Sequence, residues 1–177
     1  GRPGNGLDLA CASAIRSLCL MRVWRIASET AEYSADDVSG SGAYRTGGRW
    51  NSKNRHVLYC AESASLACLE TLVHLGAWNL PLKRFLVAVD IPEALWKSRK
   101  AIDAESLPDA WNSFPAMQAS TNFGDDWLKR KQSAVLVVPS AIVPEDAVIL
   151  INPQHVDSRR IKAVKLRVWQ YDQRLVV

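Results

Sequence analysis

The pattern of apolar and polar positions predicts one domain that contains both strands and helices. Residues 84–91 place Phe85, Val87 and Val89 on one side, and this period of two is typical of a strand. Residues 61–75 carry leucines three residues apart, which is typical of a helix. The predicted set is strands at 21–26, 56–60, 84–91, 134–138, 147–151 and 161–169, and helices at 61–75 and 125–131. With no internal repeat or linker, this order predicts a single α+β domain.

Composition and charge exclude several classes of protein. The chain has 177 residues and a net charge of +4, from 22 basic and 18 acidic residues. The basic residues form only short runs, such as those at 129–131 and 159–162, which are typical of a solvated surface and do not indicate nucleic-acid binding. Nowhere do eighteen apolar residues follow one another, so no membrane span is expected.

The cysteines and the first residues bear on compartment and domain boundaries. The four cysteines form no C-x-x-C pair and no zinc-binding pattern, so we expect neither a metal site nor a disulfide framework, and a reducing, cytoplasmic compartment. Residues 1–20 contain charged positions that interrupt their apolar stretch. We expect them to be a leader outside the fold, and the domain to span residues 21–175.

Glu70 is an unusual residue for its place on the predicted helix. At 100° per residue it lies about 40° from Leu66 and about 60° from Val73, on the side that carries the apolar residues. A carboxylate near a core is costly unless it is paired or has a function. Glu70 is therefore either an edge residue that pairs with a structural arginine or a carboxylate held in a pocket.

Two further positions carry candidate polar chemistry. Arg49 follows two glycines in a loop, a setting that suits recognition of phosphate or carboxylate by its planar guanidinium, although a structural ion pair is an equal alternative. Ser140 follows a strand and a proline, without the G-x-S-x-G pattern of a nucleophilic serine. Its hydroxyl is expected to bind a ligand or to cap a turn.

Tyr59 and Asn152 complete the candidates from the residues alone. Tyr59 lies in the strand that leads into the helix of Glu70, so the two side chains are able to approach each other. Asn152 precedes a proline after an apolar strand, where it is either a ligand contact or a turn residue.

Five short segments, taken in chain order, resemble the RES domain, which is named for an Arg, a Glu and a Ser. The segments are Val23-Trp24-Arg25-Ile26, Gly48-Arg49-Trp50-Asn51, the stretch from Tyr59 to Leu69-Glu70, Val138-Pro139-Ser140 and Ile151-Asn152-Pro153. In this resemblance the three naming residues are Arg49, Glu70 and Ser140. The match covers about residues 21–175.

The resemblance implies a fold related to the NAD⁺-using ADP-ribosyltransferases, with two small packed sheets and a cleft between them. It implies a toxin of a type II toxin–antitoxin pair that degrades NAD⁺, as a glycohydrolase or a phosphorylase. NAD⁺ would be its substrate, with no other cofactor. Its partner would be an Xre-type antitoxin with a helix-turn-helix, and a homodimer within the complex is left open. An ADP-ribosyltransferase that modifies a macromolecule is the alternative.

Under the same resemblance the site residues take separate roles. Glu70 would stabilise the positive charge that develops on the ribose when the nicotinamide bond breaks. Arg49 and Arg25 would hold the pyrophosphate, and Tyr59 would stack on nicotinamide or close the pocket. Ser140 would position the ribose or the amide. Asn152 would contact the ligand.

Overall fold

A computed structural model describes residues 20–74 and 83–175. Within these ranges the strands are β1 (Leu20–Ser28), β2 (Leu58–Ala61), β3 (Arg84–Pro92), β4 (Lys100–Ala101), β5 (Val135–Pro139), β6 (Ala147–Ile151) and β7 (Lys162–Trp169). The α-helices are α1 (Ser41–Thr46), α2 (Ala64–Leu72), α3 (Glu93–Lys97) and α4 (Gln118–Arg130). Short 3-10 helices lie at Ala104–Ser106, Val156–Arg160 and Gln173–Leu175. The prediction of a single α+β domain is confirmed.

The described strands form one sheet in the order β4-β5-β6-β2-β1-β3-β7. Its two middle strands, β1 and β2, are paired at a single position, Trp24 with Ala61, whereas β1 and β3 pair along their whole length. The sheet therefore has a β5 half (β4, β5, β6 and β2) and a β1 half (β1, β3 and β7). The resemblance implied two small packed sheets, whereas the described strands form one seven-stranded sheet whose halves meet at one residue pair.

Three apolar clusters hold the sheet and its helices together. The first collects buried side chains from both halves, including Val23, Val87 and Ile149, and so lies on a face that the two halves share. The second joins α4 to the β5 half through Trp127 and Leu136. The third joins α2 to the β1 half, with residues that include Ile26, Leu66 and Leu86. Each half of the sheet is thus covered by its own helix.

Two helix boundaries differ from the prediction for identifiable reasons. The helix expected at 125–131 begins at Gln118, and Gly124 lies within it. A Cβ at Gly124 would stand 1.9 Å from the Trp50 carbonyl oxygen, so this glycine serves a close approach and does not start the helix. The helix expected from residue 61 begins at Ala64, because Ser63 caps it by accepting a hydrogen bond from the Leu66 amide at 3.0 Å.

Several sequence expectations fall wholly or partly outside the described ranges. The predicted leader, residues 1–20, lies outside them except for Leu20, which begins β1. Cys60 and Cys68 are buried free thiols. Among residues 20–74 and 83–175, we find no cluster of His, Cys, Asp and Glu arranged to hold a metal ion. The helices in those ranges are also too short or too polar to cross a bilayer.

Candidate active site

Ser140 and Glu70 are joined by a hydrogen bond although they come from different parts of the chain. The Ser140 hydroxyl donates to Glu70 Oε1 at 2.8 Å. The same hydroxyl accepts from the amides of Ile142 at 3.0 Å and Val143 at 3.2 Å, and so closes the turn after β5. Ser140 is fully buried. One hydroxyl therefore organises the turn and also fixes the direction of a carboxylate.

The surroundings of Glu70 correct the predicted apolar stripe on α2. Leu66 is buried as expected, but Val73, one turn beyond Glu70, is 58% exposed. Glu70 is half-buried, at the position where the helix leaves the core. This placement leaves the carboxylate within reach of solvent while one oxygen is held by Ser140.

Arg49 is held by backbone carbonyl groups and lies in the electrostatic field of Glu70. Its Nη1 donates to the carbonyl oxygens of Trp111 at 2.6 Å and Ser113 at 2.9 Å. Burial lowers the pKa of Arg49, and the opposite charge of Glu70 partly offsets that effect. An arginine retains its charge under such a shift. The structure thus brings a fixed guanidinium, a carboxylate and a hydroxyl into one neighbourhood.

Tyr59 supports the loop that carries Arg49. Its hydroxyl donates to Asn51 Oδ1 at 2.8 Å and accepts from the Trp50 amide at 3.0 Å. Burial raises its pKa, so the hydroxyl keeps its proton at neutral pH. A Cβ at Gly48 would stand 2.7 Å from the same hydroxyl oxygen. The glycine before Arg49 is therefore needed for the loop to pack on Tyr59.

The structure places Arg25 away from this group. Arg25 lies on the face of β1 that also carries Val23, whereas Ile26 on the other face packs beneath the helix of Glu70. The Arg25 guanidinium donates to the Asp37 carbonyl oxygen at 3.3 Å. Its buried Nε has no hydrogen-bond partner among the described residues, and burial lowers its pKa. The alternation of β1 thus separates Arg25 from Glu70.

Asn152 also lies apart from Ser140 and Glu70. Because β5 and β6 are antiparallel, the residue after β6 is at the opposite end of the strands from Ser140, which follows β5. The Asn152 side chain donates to the Leu128 carbonyl at 2.9 Å and accepts from the Gln154 amide at 3.0 Å. Both polar atoms of the Asn152 side chain thus bind the surrounding backbone.

Some contacts of the site were not predicted from the sequence. The anchors of the Arg49 guanidinium are main-chain carbonyl groups, which carry no residue-specific signal. Asn51 was visible only as part of a motif, yet its side chain also donates to the carbonyls of Ala43, at 3.0 Å, and Arg55, at 3.2 Å. The sequence predicted a helix after Gly124 but did not predict that this helix packs on the loop of Arg49.

A family model and several named proteins match most of this chain. The family model described as the RES domain matches residues 22–173. A protein named Prs ADP-ribosylating toxin, from Sphingobium sp. (strain YBL2), is 46% identical over 153 residues, covering 86% of this chain and 95% of that protein. A protein named Toxin Res, from Photorhabdus laumondii subsp. laumondii, is 37% identical over 147 residues, covering 82% of this chain and 92% of that protein.

The fold is also found among solved structures. A chain in the crystal structure of the M. tuberculosis MbcT–MbcA toxin–antitoxin complex superposes with a TM-score of 0.58 at 18% identity. The superposition covers 83% of this chain and 84% of that chain. The family match over most of the sequence and the extent of the two similar proteins lead to one conclusion: this chain belongs to the RES domain family.

Proposed function

We propose that this chain is the toxin of a bacterial toxin–antitoxin pair and that it cleaves the nicotinamide–ribose bond of NAD⁺. The observation that carries the proposal is the hydrogen bond of 2.8 Å between Ser140 and Glu70, formed in the field of a charged Arg49. Its support from comparison is the RES domain match and a relative that bears the name Toxin Res.

The chemistry requires a carboxylate that is already oriented when the bond breaks. Departure of nicotinamide leaves positive charge on the ribose, an oxocarbenium-like state. Glu70 would face that charge with one oxygen while Ser140 holds the other, so little reorientation is needed during the reaction. Nicotinamide leaves as a neutral molecule from a cationic precursor, so no general acid is required. The proposed step therefore needs no histidine beside Glu70.

Arg49 would bind the anionic part of the substrate. The pyrophosphate of NAD⁺ is a double anion, and the guanidinium is held in place by two carbonyl oxygens. Tyr59 would take part through its position beneath the loop, because its hydroxyl is already used as donor and acceptor. Arg25 and Asn152 have no part in this proposal.

The acceptor of the sugar separates two versions of the reaction. In the first version water or inorganic phosphate takes the ribose, and NAD⁺ is degraded. In the second, a protein takes the ADP-ribose, and the name of the Sphingobium relative, an ADP-ribosylating toxin, favours this alternative. Both versions break the same bond and use the same carboxylate. An antitoxin is the proposed partner, supported by the fold shared with a chain of the MbcT–MbcA complex, and we propose the Xre type.

The test is release of nicotinamide by the purified protein from NAD⁺ labelled in both the nicotinamide and the adenosine. We expect nicotinamide release without added protein, and Glu70→Gln should lower its rate by roughly 100- to 1000-fold. Glutamine keeps the shape and the acceptor for Ser140 but removes the charge. The exposed Glu62 provides the matched control, because Glu62→Gln removes a nearby carboxylate outside the site.

The outcomes distinguish the two acceptors. Adenosine label in a small molecule supports degradation, and label that becomes attached to protein only when a bacterial extract is added supports transfer. Absence of nicotinamide release under both conditions would refute cleavage of NAD⁺. An unchanged rate for Glu70→Gln would refute the assignment of the carboxylate.

A further inference from the structure

One face of α4 lies against the loop that presents Arg49. Thr121 Oγ1 donates to the carbonyl oxygen of Arg49 at 3.3 Å. One turn later the helix backbone at Gly124 comes so close to the Trp50 carbonyl that a Cβ would be 1.9 Å from its oxygen. Positions three apart on a helix share a face, so both contacts arise from one surface of α4.

Asp125 extends the same surface to the end of the loop. Its Oδ1 accepts from the Ser52 amide at 3.0 Å, and its Oδ2 accepts from the Ser52 hydroxyl. A carboxylate that receives two hydrogen bonds from one residue fixes both the position and the orientation of that residue. A single helix therefore contacts Arg49, Trp50 and Ser52 of this loop.

The guanidinium end of Arg49 is tied to α4 as well. The Trp111 carbonyl that accepts from Arg49 Nη1 at 2.6 Å also accepts from the hydroxyl of Ser120, on α4, at 3.3 Å. The backbone of Arg49 is thus bonded to α4 directly, and its guanidinium is connected to α4 through the Trp111 carbonyl. A small displacement of the helix would move them together.

We propose that Asp125 is a positioning residue, which sets the guanidinium of Arg49 for the substrate anion without touching the substrate. This inference rests on the proposed function, because it assigns to Arg49 the binding of the NAD⁺ pyrophosphate. The bonds of Asp125 with Ser52 fix the chain three residues after Arg49. The effect of Asp125 on catalysis therefore passes through Arg49.

A purely structural aspartate is the competing explanation, and a double-mutant cycle separates the two. Kinetics of nicotinamide release are measured for Asp125→Ala, Arg49→Ala and the double variant, with melting temperatures for each. The exposed neighbour Asp126 supplies the control Asp126→Ala, which removes the same charge from the same helix without a contact to the loop. Asp125→Asn, which retains an acceptor for Ser52, serves as the conservative variant.

We expect Asp125→Ala to raise the KM for NAD⁺ by about tenfold or more, with a smaller change in kcat, since a displaced binding group can cost up to about 100-fold. Asp125→Asn should recover part of the loss, and Asp126→Ala should match the wild type. In the Arg49→Ala background, the second substitution should cause no further loss, because its target is gone. Thr121→Val, which removes a weaker bond to the same loop, should show the same dependence if Asp125→Ala fails to fold.

Specific results would overturn the inference. Multiplicative losses in the double variant, or a fall in kcat alone, would show that Asp125 acts independently of Arg49. Equal KM values for Asp125→Ala, Asp126→Ala and the wild type would show that Asp125 does not position Arg49, while leaving NAD⁺ cleavage intact. A wild-type protein that releases no nicotinamide would instead remove the proposed function, and this inference with it.

Discussion

Replacing Ser140 by alanine removes one hydroxyl that makes three hydrogen bonds. The bond donated to Glu70 is charge-assisted, and such bonds contribute about 1.5–3 kcal/mol. The two amides at 142 and 143 lose their acceptor, at about 1 kcal/mol each. Glu70 is half-buried and regains some hydration, so we expect a loss in the free energy of unfolding of about 2–4 kcal/mol.

A double-mutant cycle isolates the bond between the two side chains. Urea unfolding of the wild type, Ser140→Ala, Glu70→Ala and the double variant gives four free energies by linear extrapolation. We expect a coupling of about 1–2 kcal/mol, because one of the three bonds is shared and Glu70 is partly solvated. The activity of each folded variant is measured in parallel by nicotinamide release.

The result that would refute this reasoning is additivity. If the four free energies add within about 0.5 kcal/mol, the hydroxyl does not stabilise the carboxylate in the folded protein. Coupling in stability without any loss of activity per folded molecule would give the Ser140–Glu70 bond a structural role only.

The remaining predictions concern packing and pH. Gly124→Ala should destabilise the protein by about 3 kcal/mol or more, because its Cβ would stand 1.9 Å from the Trp50 carbonyl oxygen. Gly42→Ala, with open space around it, should instead stabilise α1 by about 0.5–1 kcal/mol. Thermal unfolding of both variants tests this contrast. Arg22 donates two hydrogen bonds to Asp90, at 2.7 and 2.9 Å, and lowers the pKa of that carboxyl group. The stability gained from this lowered pKa is present above a pH of about 4 and is lost as the pH falls through the lowered pKa, so the difference between wild type and Arg22→Ala in urea should shrink from pH 7 into acid. A difference that does not shrink as the pH falls would contradict the pairing.

Local patterns predicted six of the seven described strands, because apolar runs or alternation mark them; β4, two exposed residues at 100–101, was not predicted. The expected strand at 147–151 agrees with β6, and the alternation at 84–91 agrees with β3 to within one residue. The start of α4 was predicted poorly, since Gly124 is required by a close contact with Trp50, more than seventy residues earlier in the chain. Contacts of that range leave no local signal.

The residues of the candidate site were likewise predicted from local patterns, whereas their contacts with one another were not. Helical spacing indicated that Glu70 lies near the core, and the turn after β5 was evident from Pro139 and Ser140. That these two side chains meet depends on how the helix and the strand pack together. The sequence left Asn152 open between a ligand contact and a turn residue, because the direction of β6 relative to β5 decides which end of the sheet a turn occupies, and residues alone do not state that direction.

The narrow junction between the two halves of the sheet gives the site a mechanical property. Arg49 and its anchors belong with the β5 half, whereas Glu70 rides on the helix that packs against the β1 half. With one residue pair joining β1 to β2, the hydrogen bond from Ser140 to Glu70 forms a second link across the junction, from the turn after β5 to the helix on the β1 half. A substrate bound by both Arg49 and Glu70 would add a third link there.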